Sequence, residues 1–270
     1  MSMREHQMFL KWTSGRDILD DGTLITWIDT LEDTMGQAFA QWRPLGRPGK
    51  PNPWTLQARL DQLDALVGGG TNQELRIRWI AAPNDAGIAY FNVQATLHPY
   101  TGRYVAACEL RLETKVFEDS DAVEFWSNLL QQWAHQSEAL SAQLHDADDD
   151  AIQNVSNAGV LRIGYGIDVD EVDVAKNPGR ETSRGEYRYV VNWLSFYNAD
   201  MRKALGHPTV DVPGVKTWEK DDGLWLQLSE SPLHPENPTI RERQRLVREQ
   251  LGIEKLAQKQ QRSFGFWQKK

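Results

Sequence analysis

The 270-residue sequence predicts an α+β fold, in which antiparallel sheet is covered by amphipathic helices. Apolar residues recur at helical spacing in long stretches, whereas three consecutive segments between residues 74 and 114 alternate polar and apolar side chains. The two kinds of segment come in blocks. Strict alternation of strand and helix would indicate a doubly wound parallel sheet, and the block arrangement disfavours that fold.

The first helix is predicted over residues 23–42, and Pro44 would end it. The positions that would face the core are Leu24, Trp27, Ile28, Leu31, Met35, Phe39 and Trp42. After a loop rich in Gly and Pro, a shorter helix is predicted over residues 54–67, ended by three glycines. Its inward positions are expected to be Leu56, Leu60, Leu63 and Leu66.

Three strands are predicted next, over residues 74–80, 89–97 and 103–114, and the turns between them favour an antiparallel meander. A helix opening near Ser120 is expected to cover the apolar face of this meander and to continue to the acidic string at residues 146–150. Its apolar stripe consists of Val123, Trp126, Leu129, Leu130, Trp133, Ser137, Leu140 and Leu144.

The second half of the chain predicts looser strands over residues 159–167, 186–194 and 223–229. A helix follows, with Asn237 as its cap, Pro238 at its first position and Gly252 after its end. The sequence therefore predicts two tandem α+β halves, residues 1–145 and 151–270, with one continuous domain as the alternative.

The net charge of −8 is unevenly distributed. Residues 241–270 hold nine Lys and Arg against three Asp and Glu, a balance of +6, which leaves −14 on the preceding 240 residues. An acidic body repels nucleic acid and anionic membranes and attracts basic proteins. We therefore expect a basic protein partner, with no direct nucleic-acid or membrane binding.

A cytoplasmic location is expected from the start of the chain and from its cysteine content. The first twenty residues carry charges throughout and lack the apolar core of a signal peptide, and no stretch reaches the roughly 18 apolar residues of a membrane span. Cys108 is the single cysteine, so no intrachain disulfide can form, in keeping with a reducing compartment.

No catalytic, metal or cofactor site is expected from the sequence motifs. The six histidines are scattered, and no pair has the helical spacing with Glu that builds a zinc site. The glycines at residues 68–70 are not followed by the Lys and Ser or Thr of a phosphate-binding loop. A Gly-x-Ser-x-Gly nucleophile elbow is also missing from the sequence. The protein is therefore predicted not to be an enzyme.

One short motif supports a different class of function. Glu113, Thr114 and Lys115 end a predicted strand, and Glu-x-Lys on a strand is half of the motif of restriction-endonuclease-type nucleases. Such a site needs a second carboxylate to hold a divalent metal ion, and Asp85 is the candidate, although it lies in a turn two strands earlier. A metal-dependent nuclease is the alternative function.

The densest carboxylate clusters are the candidate partner-binding residues. They are Asp146, Asp148, Asp149 and Asp150 in one cluster and Asp168, Asp170, Glu171 and Asp173 in the other. The second cluster does not fit a calcium loop, because Val172 stands at position five and Asp173 replaces the glycine of position six. Each cluster is either a solvated loop or an acidic patch that binds a partner.

The last third of the chain resembles a known family. The segment Tyr189-Val-Val-Asn-Trp193, the segment Gly223-Leu-Trp-Leu-Gln-Leu-Ser-Glu-Ser-Pro232 and the helix at residues 241–251 carry the resemblance, together with the tryptophan-bearing first helix. They resemble the immunity proteins of bacterial polymorphic-toxin and type VI secretion systems, most closely the family paired with restriction-endonuclease-fold toxins.

The resemblance implies a non-enzymatic inhibitor that is made beside a nuclease toxin and binds it stoichiometrically in the cytoplasm of the producing cell. It carries over no catalytic or contact residues. An immunity protein is therefore the leading functional prediction, ahead of the nuclease, and a general adaptor is a third possibility.

Overall fold

The computed structural model describes residues 7–19, 22–46, 49–67, 75–97, 104–149, 182–184, 187–232, 237–253 and 255–256. They fall into two compact units, an N-terminal unit of residues 7–142 and a C-terminal unit from residue 143 onward. Both units combine strands with helices, which confirms the predicted α+β class. The independent folding of two halves stays a prediction.

In the described part of the N-terminal unit, six strands lie side by side in the order β1-β6-β5-β4-β2-β3, with antiparallel neighbours throughout. Their bounds are β1 Gln7–Ser14, β2 Gln41–Pro44, β3 Asn52–Pro53, β4 Leu75–Ile80, β5 Ile88–Leu97 and β6 Tyr104–Glu113. The predicted meander is present as β4, β5 and β6. The strands β1, β2 and β3 were not predicted.

A chain of aromatic rings fills the core of this unit. Trp12 of β1 lies 5.2 Å from Trp27, 5.9 Å from Phe91 and 5.1 Å from Trp133, measured between ring centroids. The series continues from Phe91 to Trp79. Such rings bury large areas, and edge-on or offset contacts add to that burial. Helix α1 (Thr23–Met35) and helix α3 (Ser120–Gln136) supply Trp27 and Trp133, so the aromatic cluster joins both helices to the sheet.

Helix α1 ends seven residues earlier than its apolar spacing indicates. Gly36 follows it with φ of 64°, a left-handed conformation that glycine adopts without strain, and its N–H bonds back to the last turn. The chain then turns into β2, where Trp42 lies opposite Trp79 of β4. The prediction that Phe39 and Trp42 belong to the helix is therefore wrong, because the glycine redirects the chain.

Helix α2 (Leu56–Val67) presents a different face from the predicted one. The prediction that Leu56 and Leu60 face inward is wrong, since they are 74% and 48% exposed. Arg59 points toward α1 instead and forms ion pairs with Asp29 and Glu32. The side chains of residues 63 and 66 lie outside the described part of the chain.

Glu32 is a buried carboxylate that joins three segments of the N-terminal unit. Its Oε1 accepts hydrogen bonds from the backbone N–H of Phe39 at 3.0 Å and from Nε1 of Trp54 at 2.9 Å, while Oε2 faces Arg59. A buried charge is stable only when it is paired and hydrogen-bonded, as here. This charged contact attaches α2 to α1.

Helix α3 is capped by Asp119, whose side chain accepts from the N–H of Asp121, and it ends at Gln136. The prediction that it continues to the acidic string is wrong. Glu138 has φ of 48°, and after this turn residues Ser141–Asp146 form β7. Leu140 and Leu144 are buried as predicted, but outside the helix.

The C-terminal unit has the neighbouring strands β11-β12-β10-β7, of which the pairs β10–β12 and β11–β12 are antiparallel. The bounds are β10 Leu194–Tyr197, β11 Lys216–Lys220 and β12 Gly223–Gln227, and a separate hairpin pairs β8 Thr182–Arg184 with β9 Tyr187–Tyr189. The predicted strand at residues 186–194 thus contains β9 and only the first residue of β10. The predicted strand at residues 159–167 lies outside the described residues.

Among the described residues of this unit, helix α4 spans Ala199–Ala204 and helix α5 spans Pro238–Leu251. The caps of α5 are as predicted: Oδ1 of Asn237 accepts from the N–H of Thr239 at 2.9 Å, and Gly252 follows with φ of 70°. Helix α4 and strand β11 were not predicted. Among the helices that the structure describes, none is long and apolar enough to cross a membrane.

Candidate functional site

Three of the acids predicted to bind a partner are buried. Asp146, Asp148 and Asp149 are 7%, 9% and 5% exposed. Oδ1 of Asp146 accepts from the backbone N–H groups of Asp148 and Asp149 at 2.7 and 3.4 Å, so it caps the helical residues 147–149 that follow β7. These three carboxylates are therefore buried and do not form the expected acidic surface, and a part for them in partner binding stays a prediction. The remaining candidates, Asp150, Asp168, Asp170, Glu171 and Asp173, lie outside the described residues.

Asp149 attaches its segment to helix α5. Its Oδ1 lies 2.6 Å from Nη1 of Arg241, and its two carboxylate oxygens accept from Nε2 of Gln244 at 3.2 and 3.0 Å. Gln244 also donates to the backbone carbonyl of Val191 at 3.1 Å. A buried carboxylate with this set of donors has a structural role in the C-terminal unit.

The residues of the nuclease alternative lie at the end of β6. Lys115 pairs with Glu113 at 2.6 Å, and both side chains are partly exposed. Asp85 is exposed in the turn before β5. Within the described ranges, no group of three or more His, Cys, Asp or Glu side chains is placed to hold a metal ion.

A charged row crosses the N-terminal sheet on the side away from the aromatic core. Residues directly opposite each other in an antiparallel ladder point to the same face. The register places five such residues side by side on β2, β4, β5, β6 and β1, namely Arg43, Arg78, Asn92, Glu109 and Lys11. Their chain neighbours are largely buried in the core. We call this side of the sheet the outer face.

Tyr90 lies on the next row of the outer face, opposite Arg111 of β6. The guanidinium carbons of Arg78 and Arg111 lie 4.1 and 5.3 Å from the centroid of its ring. A guanidinium against an aromatic face is attracted by the ring quadrupole, and planar groups stack well there. The ring of Tyr90 therefore holds two arginines in place.

Glu109 is the carboxylate within the row, and its neighbours on the outer face satisfy it. Oε1 accepts from the hydroxyl of Tyr90 at 2.9 Å and from Nδ2 of Asn92 at 3.0 Å, and Oε2 lies 3.7 Å from Nζ of Lys11. Nε of Arg78 donates to Oδ1 of Asn92 at 2.7 Å. These contacts fix the geometry of the charged row.

The outer face is basic although the body of the protein is acidic. Its cations come from four of the five strands, β1, β2, β4 and β6; they are Lys11, Arg43, Arg76, Arg78 and Arg111. Against them stands Glu109, while Glu113 at the end of β6 is paired with Lys115. The result is a cationic surface built on rigid strands.

Burial and the nearby carboxylate of Glu109 raise the pKa of Tyr90 from 10.0 to about 12, and the two arginines oppose this shift. Below pH 10 the phenol is protonated in both the folded and the unfolded protein. Between pH 10 and about 12 the unfolded phenol loses its proton while the folded one keeps it, so the folded state loses stability as the pH rises.

Tyr90→Phe is expected to remove this part of the alkaline loss of stability. The wild-type protein should exceed the variant in free energy of unfolding by a constant amount up to about pH 10, and the difference should then shrink. Urea denaturation at several pH values measures it. A difference that stays constant up to pH 12 would show that Tyr90 titrates as an ordinary tyrosine.

Together, these features define a class: an α+β protein with a basic, aromatic-bearing sheet face and a buried acidic segment. No family model matches the chain, and no curated protein matches it. Among solved structures, its fold is similar to that of the Pseudomonas aeruginosa T6SS protein PA0821, with a TM-score of 0.54 over 90% of this chain and 73% of that one. The two sequences are 10% identical, so the likeness is one of fold.

Proposed function

We propose that this protein is an immunity protein of a type VI secretion system, which binds a cognate nuclease toxin in the cytoplasm and neutralises it stoichiometrically. The observation that carries the proposal is the likeness in fold, over 90% of the chain, to a T6SS protein. The proposal assigns no catalytic residue and no cofactor to this chain.

The segments that resemble immunity proteins have a structural role here. Tyr189, Val191 and Trp193 are buried, as are Leu224 and Leu226 of β12. Buried residues that match the pattern of a family indicate a similar hydrophobic core, and they do not identify the residues that contact a partner. The contact surface must therefore be found from the structure of this protein.

Charge supports a nuclease as the partner. A nuclease needs a basic groove for nucleic acid, and the first 240 residues of this chain carry −14. Opposite net charges accelerate the encounter of two proteins, and this attraction weakens as the salt concentration rises. We therefore propose that the acidic body steers this protein toward a basic toxin.

Co-expression with the toxin encoded by the adjacent gene tests the proposal. Cells that make the toxin alone should die, and cells that make both proteins should grow. The purified proteins should form a complex of fixed stoichiometry, and the toxin's nuclease activity should end at that molar ratio. Growth arrest despite co-expression would contradict the proposal.

A second arm tests the nuclease alternative. Purified protein is incubated with DNA and RNA in Mg²⁺ or Mn²⁺, alongside Glu113→Ala. We expect no cleavage by either. Cleavage by the wild-type protein that Glu113→Ala abolishes would replace the immunity proposal with a metal-dependent nuclease.

A further inference from the structure

We infer that the outer face of the N-terminal sheet docks an acidic protein segment, whose carboxylates pair with Arg43, Arg78 and Arg111 around Tyr90. The inference rests on the proposed function only in taking the owner of this segment to be the toxin. The acidic body would assist the encounter of the two proteins, and the outer face would supply the direct contacts, which salt screens less than it screens charges more than about 8 Å apart.

The spacing of the cations suits a short stretch of chain. Arg43 and Lys11 lie on the outermost strands of the five-strand row. Neighbouring strands are about 4.8 Å apart, so the row is about 19 Å long, the length of roughly six extended residues. An acidic segment crossing the strands would meet Arg43 and Arg78 at one end of the row and Lys11 at the other.

The arginines have donors left for a partner. Arg43 has no side-chain hydrogen bond or ion pair within the described part of the chain. Arg111 likewise makes no side-chain hydrogen bond or ion pair with the described residues, although its Nε is buried and is not itself accessible to a partner. Guanidinium groups pair with carboxylates in a bidentate, charge-assisted geometry, which is stronger than a neutral hydrogen bond. Carboxylates are thus the chemistry that these groups recognise.

Protein fits this face better than nucleic acid does. Single-stranded nucleic acid binds by stacking bases on exposed aromatic rings. The ring of Tyr90 already carries two guanidinium groups, and its hydroxyl is held by Glu109.

Two charge-reversal variants with the same change in net charge test the inference. The test variant is Arg43→Glu with Arg111→Glu, on the outer face. The control is Lys216→Glu with Lys220→Glu, two exposed residues of β11. Circular dichroism and thermal unfolding establish that each variant is folded. Arg43→Ala, at the edge of the row, gives a milder version if the double variant unfolds.

Binding is measured against a fluorescein-labelled Glu-rich peptide and against the toxin encoded by the adjacent gene. The outer-face variant should bind both at least about tenfold more weakly, the loss expected when charged pairs are reversed, and the control should stay within about threefold of wild type. Equal losses in both variants, or no loss for the peptide, would overturn the inference.

Two further outcomes separate the inference from the proposed function. If the wild-type protein rescues cells from the toxin and the outer-face variant rescues them equally well, the docking surface is wrong and the immunity function stands. If the outer face binds the peptide but no rescue occurs, the immunity function is wrong. Tighter binding of duplex DNA than of the peptide, lost in the outer-face variant, would make the surface a nucleic-acid site and overturn the inference.

Discussion

Trp12→Ala is expected to lower the free energy of unfolding of the N-terminal unit by about 3–5 kcal/mol, the range for removing a buried Trp or Phe side chain. Trp12 is 2% exposed and contacts rings from both helices and the sheet. Removing it leaves a cavity at the point where these elements meet, and neighbouring indoles are too rigid to fill it. Urea denaturation followed by circular dichroism measures the loss.

A matched pair of phenylalanine variants separates packing from hydrogen bonding. Nε1 of Trp12 has no hydrogen-bond partner within the described ranges, whereas Nε1 of Trp27 donates to Gln136 at 3.0 Å. Trp27→Phe should therefore cost about 1 kcal/mol more than Trp12→Phe, the net value of one hydrogen bond. A loss below about 1 kcal/mol for Trp12→Ala would mean that the aromatic cluster is not the core we describe.

Asp149→Ala is expected to lower the free energy of unfolding by about 2–4 kcal/mol, because Arg241 and Gln244 lose the carboxylate that satisfies them. Arg241 is 24% exposed and recovers part of this loss from water. Asp149→Asn keeps one acceptor oxygen and should cost less. Chemical denaturation measures both variants.

A double-mutant cycle with Arg241→Ala tests the cause. The two losses should not add, since either substitution breaks the same pair. The opposite result is a stable, fully folded Asp149→Ala protein that associates more slowly with the toxin. That outcome would restore Asp149 to the binding surface and contradict its structural role.

The class of fold could be predicted from periodicity, and the element boundaries could not. Apolar spacing continues through Phe39 and Trp42, so it extends α1 beyond Gly36, although the glycine marks the end. Strand β1 carries a clear period of two, with Met8, Leu10 and Trp12 buried.

The acidic string shows the limit of reasoning from charge. Four Asp residues within five positions are typical of a solvated loop, and the sequence holds no sign that Arg241 and Gln244 reach one of them across 92 and 95 positions. Burial of a charge depends on a distant partner. Local composition therefore predicts that Asp149 is exposed, whereas in the folded protein Arg241 and Gln244 bind it and it is buried.

The positive charge of the outer face cannot be recognised from the sequence of any single strand. Arg76 and Arg78 alternate with the apolar residues of β4, but their companions Arg43 and Lys11 lie on unpredicted strands. Only the register brings residues from five strands into one row. Once the strands are paired, the charge of each face can be counted directly.

Cys108 makes the opening rate of the N-terminal sheet measurable. Its thiol lies between Trp12 of β1 and Val93 of β5, and burial raises its pKa well above the ordinary value, so the reactive thiolate is scarce. An alkylating reagent reaches it only when the strands separate. Because the sequence has one cysteine, each molecule gains a single mass increment, and the rate of that gain reports how often the middle of the sheet opens in the native protein.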